Sequence, residues 1–179
     1  RRLIIHESLY DEIRETLVKA YKQLRIGDPL DSNNHVGPLI DKDAVASYEA
    51  ALNTIVESGG KIAVEGGVLE GEGYESGCYV KPAIAEVNNE WEIVQEETFA
   101  PILYLIKYSD FDEALAIQNG VRQGLSSAIM TTNMRQSNLS LTPWFRLWNS
   151  QCEYWNQRCR DRWSIWWRKG NGWWTRKWI

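Results

Sequence analysis

The chain has 179 residues, 44% of them hydrophobic, with 20 basic and 24 acidic side chains and a formal net charge of −4. That length can bury a real core in a single domain. No apolar run approaches the length of a membrane span, and the run in "RRLIIHE" is too short for a secretory leader, so no membrane partner is expected; nor is a nucleic-acid partner expected of this acidic chain.

The averages conceal a break at Pro143. The first 143 residues hold 12 basic and 22 acidic side chains, a net of −10, whereas the last 36 hold 8 basic and 2 acidic, a net of +6. Nine of the ten Trp fall between Trp144 and Ile179. Cys78 stands alone in the first part, a pattern that fits a reducing, cytoplasmic compartment rather than a disulfide framework. The chain opens on Arg1 rather than Met and is expected to be a piece of a longer protein.

In chain order, "RLIIH" (Arg2–His6) predicts a buried strand. Ser8 is the expected N-cap of a helix whose Leu9, Ile13, Leu17, Ala20 and Leu24 recur at helical spacing, ended by Gly27 and Pro29. Asp41 should cap a second helix, with Val45, Tyr48, Ala51, Leu52, Ile55 and Val56 on its inner face and Gly59-Gly60 as its stop. "KIAVEGG" reads as a strand, "EGEGYESG" as a solvated loop, and "CYVKPAIAEV" as an extended segment that Pro82 relegates to an edge or irregular position. "PILYLIKY" is nearly continuous apolar, as a strand covered on both faces should be. An N-capped helix in "DFDEALAIQNGVRQG" and a strand in "LSSAIMT" complete the series. Strand–helix–strand units with short connections predict an α/β fold, a mostly parallel sheet with flanking helices.

"QEETFAPILYLIKY" is the most informative stretch. Backbone before Pro101 is expected to be extended, which would present Glu97, Thr98 and Phe99 at the entrance to a strand. On physics alone, solvated Glu96 and Glu97 and a core-plugging Phe99 are the favoured reading. His6, His35 and Cys78 have no partners in sequence that suggest catalysis, and Trp91 reads as a packing anchor.

Taken together, "RRLIIHESLYDEI", "GDPLDSNNHVGPLID", "GCYVKPAI", "QEETFAPILYLIKY" and "QGLSSAIMT" resemble the aldehyde dehydrogenase superfamily, and in detail its antiquitin-like family seven, the α-aminoadipic semialdehyde dehydrogenases. The resemblance runs over residues 1–143 and implies part of that family's catalytic domain. It implies NAD as cofactor, with Glu97 hydrogen-bonding the nicotinamide ribose and Phe99 packing beside the nicotinamide, as in the family's E-x-F-[GA]-P motif. A carboxylate suits two hydroxyl donors, and an aromatic face can hold a flat ring for hydride transfer. The implied reaction takes an aldehyde to a carboxylate through a Cys thioester, in a homotetramer. The family's nucleophile precedes the "RRL" strand and its general base lies further upstream, so no catalytic residue is assigned within this chain, and it is expected to be inactive alone. NAD and NADP are not distinguished.

The closing stretch "WSIWWRKGNGWWTRKWI" has no helical or alternating period. Trp has the single codon TGG, so decoding one base later turns every Trp into Gly. Read that way, residues 144–179 become a Gly-rich string that resembles the family-seven C-terminal signature, and the tail is expected to be a frame-shifted, non-native segment. The alternative is a non-enzymatic binding protein, or an inactive modulatory subunit, that uses the basic Trp-rich tail.

Overall fold

A computed structural model describes residues 1–122, 127–131, 133 and 136, and the backbone of strands at 150–154, 164–169 and 172–177. The chain divides into two compact units, Arg1–Arg122 and Gln123–Ile179.

The first unit is built on a four-stranded sheet of order β1-β6-β5-β2, comprising β1 (Arg2–His6), β6 (Ile102–Tyr108), β5 (Ala83–Glu86) and β2 (Lys61–Val64). β1, β6 and β5 run parallel and β2 runs antiparallel to β5, so the sheet is mostly parallel as expected. Strand periodicity sorts the side chains onto two faces. Ile102, Tyr104 and Ile106 of β6, with Ile4 and Ala85, join Val45, Tyr48, Ala51 and Ile55 of α2 (Lys42–Glu57). Leu103 and Leu105, with Leu3, Ile5 and Ile84, join Tyr10, Ile13 and Leu17 of α1 (Glu7–Tyr21). A helix thus covers each face, which is why "PILYLIKY" needs no polar alternation. Each fully buried side chain such as Ile55, Ile84 or Leu105 contributes about 1.5–3 kcal/mol.

The details depart from the sequence reading where local spacing is ambiguous. α1 follows β1 without a loop, so its cap is His6, not Ser8: the His6 backbone is extended and its Nδ1 accepts the Ser8 N–H at 3.2 Å. The buried stripe of α1 is Tyr10, Ile13, Leu17 and Tyr21, while Leu9 is 51% exposed. Tyr10 wins the inward position because its hydroxyl finds Glu86 Oε2 at 3.0 Å, so the ring is buried without orphaning a donor. α2 is capped by Asp41, whose Oδ1 accepts the Ala44 N–H at 2.8 Å, and Gly59 follows at φ +86°, a conformation suited to glycine. Val56 lies outside the inner face, 56% exposed.

Pro82 does not push its segment to the edge. Val80–Lys81 (β4) pairs with Gly67–Val68 (β3) in a separate ribbon, and Ala83–Glu86 then enters the interior of the main sheet. The proline stands just before the strand, where no ladder donor is needed, and Ala83 N–H is the first to bond, to Pro101 O at 2.9 Å. Two short helices complete the unit, α3 (Glu92–Gln95), which the sequence did not announce, and α4 (Phe111–Asn119), capped by Asp110.

In the second unit, β7 (Ser127–Thr131) pairs in parallel with β8 (Ser150–Tyr154). β9 (Ser164–Lys169) pairs antiparallel with β10 (Gly172–Lys177), Lys169 opposite Gly172. Within the segment expected to be frame-shifted and non-native, these strands are the part of the backbone that is described. A two-residue Gly-Asn connection between two runs is itself a hairpin signal, and the reading by Trp periodicity overlooked it. Trp144, Trp148, Trp155, Trp163, Trp178 and Cys159 lie outside the described residues.

Candidate functional site

The stretch expected to carry the site lies between α3 and β6. Its backbone is not simply extended. Ala100 N–H donates to Thr98 O and Ile102 N–H to Ala100 O, each at 2.8 Å, which makes two three-residue turns centred on Phe99 and Pro101. Thr98 is half-buried, and burial pushes the phenol of Tyr104 on β6 up. With Thr98 held inward, Glu97 and Phe99 on either side are exposed, Phe99 by 85%. The core-plug reading of Phe99 is overturned: a large apolar ring at a turn tip is offered to whatever lies opposite. The segment stands at the amino end of β6, away from the carboxyl-end crevice where open α/β sheets usually bind ligands.

Glu97, Thr98 and Phe99 form one wall of an open groove of about 440 Å³, whose other wall is α2 with Ala44, Ser47, Ala50, Ala51 and Thr54. Small residues at helical spacing along α2 leave this trough, a signal present in "AVASYEAALNT" that the sequence reading passed over. The two hydroxyls do not line it as free donors: Ser47 Oγ donates to Asp43 O and Thr54 Oγ1 to Ala50 O, both at 2.9 Å. The groove thus combines a smooth, largely apolar wall, an exposed ring and one accessible carboxylate.

Other polar residues are structural. His35 Nδ1 accepts the Arg25 N–H at 3.0 Å, fixing the 25–36 loop. His6 caps α1 and meets Tyr108 edge-on at 5.2 Å. The partly buried Cys78 thiol donates to Ser76 O at 3.5 Å. Trp91 packs on the core at the head of α3. Among the described residues no group of three His, Cys, Asp or Glu is placed to hold a metal, and no helix is long and apolar enough to cross a membrane.

Comparison with known proteins bears on the chain as a whole. The family model described as "Aldehyde dehydrogenase family" matches residues 1–141. The chain is 44% identical over 133 residues to aldehyde dehydrogenase family 7 member B4 of Arabidopsis thaliana, an alignment of 74% of this chain and 25% of that protein. It is 44% identical over 135 residues to the alpha-aminoadipic semialdehyde dehydrogenase of Bos taurus, covering 75% and 24%. The chain therefore spans about a quarter of the length of these curated relatives. Among solved structures it superposes with a TM-score of 0.79 on 3,6-anhydro-L-galactose dehydrogenase in complex with NAP, at 29% identity over 84% of this chain and 32% of that one. With aldehyde dehydrogenase 21 of Physcomitrella patens, in complex with the reaction product succinate, the TM-score is 0.74 at 32% identity, over 85% and 30%. With the family model matching residues 1–141 and the fold superposing on solved members, the chain belongs to the aldehyde dehydrogenase family.

Proposed function

We propose that this chain is part of an NAD-dependent aldehyde dehydrogenase acting on α-aminoadipic semialdehyde in lysine breakdown, and that Glu97 and Phe99 are its contribution to the cofactor site. The observation that carries the reading is the exposed pair on one side of a largely apolar groove, at the amino end of β6. These residues suit the nicotinamide end of the cofactor. An exposed carboxylate can accept two ribose hydroxyls, and a turn-tip ring offers a face to a flat heterocycle. The bound cofactor would supply the hydride acceptor; the chain's own residues orient it and keep water off that face. The relatives' names favour the semialdehyde, and a homotetrameric, cytoplasmic parent enzyme belongs to the same reading.

In an enzyme that contains this chain, Glu97→Gln should lower hydride transfer by about tenfold to a hundredfold, since a charge-assisted hydrogen bond is worth roughly 1.5–3 kcal/mol. Kinetics equal to the parent's would make Glu97 a solvated carboxylate and end the assignment. Cys78 takes no part as nucleophile: purified residues 1–179 should form no NADH from NAD and an aldehyde. Turnover above a buffer blank that a thiol blocker abolishes would overturn this.

Residues 144–179 we read as a frame-slipped translation of the family's C-terminal signature. In support, the family match ends at residue 141, just before charge and Trp content change. Re-reading the nucleotides around the Pro143 and Trp144 codons tests it, and an intact frame across that junction would refute it. The alternative, a tail-based binding role, has one observation on its side, the β9–β10 register, which sets Trp167 opposite Trp174 and Arg168 opposite Trp173.

A further inference from the structure

Arg2 opens β1, yet its guanidinium works elsewhere. Nη1 donates to Asn89 Oδ1 at 2.9 Å and to Ile117 O at 2.7 Å, and Nη2 to Gln118 O at 3.2 Å. Ile117 and Gln118 belong to the last turn of α4, where unpaired carbonyls favour a cation. Asn89 lies in the loop that leads into α3, and its own carbonyl accepts the Gln95 side-chain amide. Gln95 is the last residue of α3, two residues before Glu97. One half-buried side chain therefore ties the start of β1, the end of α4 and the loop whose far side carries Glu97 and Phe99. Apolar packing anchors this loop only in part: Val94 is buried and Trp91 and Ile93 pack partly exposed on the core, and a four-residue helix has little stability of its own.

We propose that Arg2 is a positioning residue for the groove, acting through Asn89 and Gln95 to hold the 88–99 segment in place. The proposal rests on the reading of Glu97 and Phe99 as cofactor contacts only for its functional meaning; the brace is read without any cofactor. Arg rather than Lys is required, because its planar fork reaches three acceptors on two elements at once.

The experiment is hydrogen exchange on residues 1–179 with no cofactor present. In Arg2→Met, amides of Trp91 to Ala100 should exchange about tenfold faster or more, while Ile84 and Leu105 in the sheet interior stay as in the parent. Arg2→Lys should recover protection at the end of α4 but not in 91–100. Gln95→Met should open the same segment, and the double variant with Arg2→Met should open it no further, because both sit on one path. Should Arg2→Met fail to fold, Asn89→Ala serves instead, since it leaves both Arg2 bonds to α4 in place. Unchanged exchange in 91–100, or a uniform rise that includes Ile84 and Leu105, would overturn the proposal. Failure of Glu97→Gln to affect hydride transfer, with the exchange result intact, would remove the cofactor reading and leave the brace.

Discussion

Tyr48 is fully buried, and its hydroxyl is used twice: it donates to Lys81 O at 2.5 Å and accepts the Gly67 N–H at 3.1 Å. A Cβ on Gly66 would fall 1.8 Å from that oxygen, so the glycine is fixed by contact. Tyr48→Phe strands a carbonyl and an N–H inside and should cost about 2–3 kcal/mol; Gly66→Ala displaces the phenol and should cost at least as much. Urea midpoints at pH 7 measure both, and a loss below about 0.5 kcal/mol for either would mean that water reaches the pair. The phenols of Tyr10, Tyr48 and Tyr104 are all pushed above their ordinary value, first by burial, and Tyr10 next by its bond to Glu86. A phenol whose folded pKa is raised contributes stability that is complete below its unfolded value near 10 and is lost as pH rises through the folded value. The urea midpoint should thus fall above about pH 10, and less steeply in Tyr10→Phe; a midpoint that climbs from pH 10 to 12 would contradict the burial argument. These residues also measure what was legible. The alternation around Thr98 could have exposed Glu97 and Phe99 on paper, but the sequence could not say which side of it faced the core.

At the scale of elements, Asp41 and Asp110 were readable as caps because a short acceptor before a periodic run has one good use, the N–H three residues on. Glu113 completes the second cap by accepting the Ser109 N–H at 2.8 Å, which the spacing did not reveal. Asp41→Ala should lower stability by about 0.5–2 kcal/mol, since α2 covers one whole sheet face, whereas Asp110→Ala should open mainly α4. Exchange of α2 and α4 amides separates the two, and identical global losses would show that α4 does not fray independently. The α1 stripe was misread for a physical reason. Leu9 and Tyr10 compete for one position, and hydrophobicity alone favours Leu9, whereas the Glu86 partner that makes Tyr10 fit lies 76 residues away. Likewise Pro82 was rightly seen as a break in hydrogen bonding, yet only the sheet order tells whether a break begins an interior strand or ends at an edge.

Over the whole chain, the first unit closes its sheet and both helical layers within Arg1–Arg122. Its melting should not depend on residues 144–179, and truncation after Pro143 should leave solubility equal or better. On the proposed frame slip, that segment was never selected for mutually supporting contacts. Amides of β9 and β10 should therefore exchange far faster than those of Ile102–Ile106, as limited proteolysis within 155–178 would also reveal. Equal protection would show a folded tail and remove the main structural consequence of the frame slip.

The order of the main strands and helices of the first unit, two of the helix caps and the family follow from the sequence alone, because each rests on short-range pattern: period, cap chemistry and motif order along some 140 residues. Which aromatic points inward, where Pro82 leaves its strand, that α2 forms a wall facing Phe99, and that Arg2 reaches Asn89 and α4 were decided by the tertiary structure. Each depends on a partner tens of residues away, and no local pattern encodes the distance between two elements once they pack.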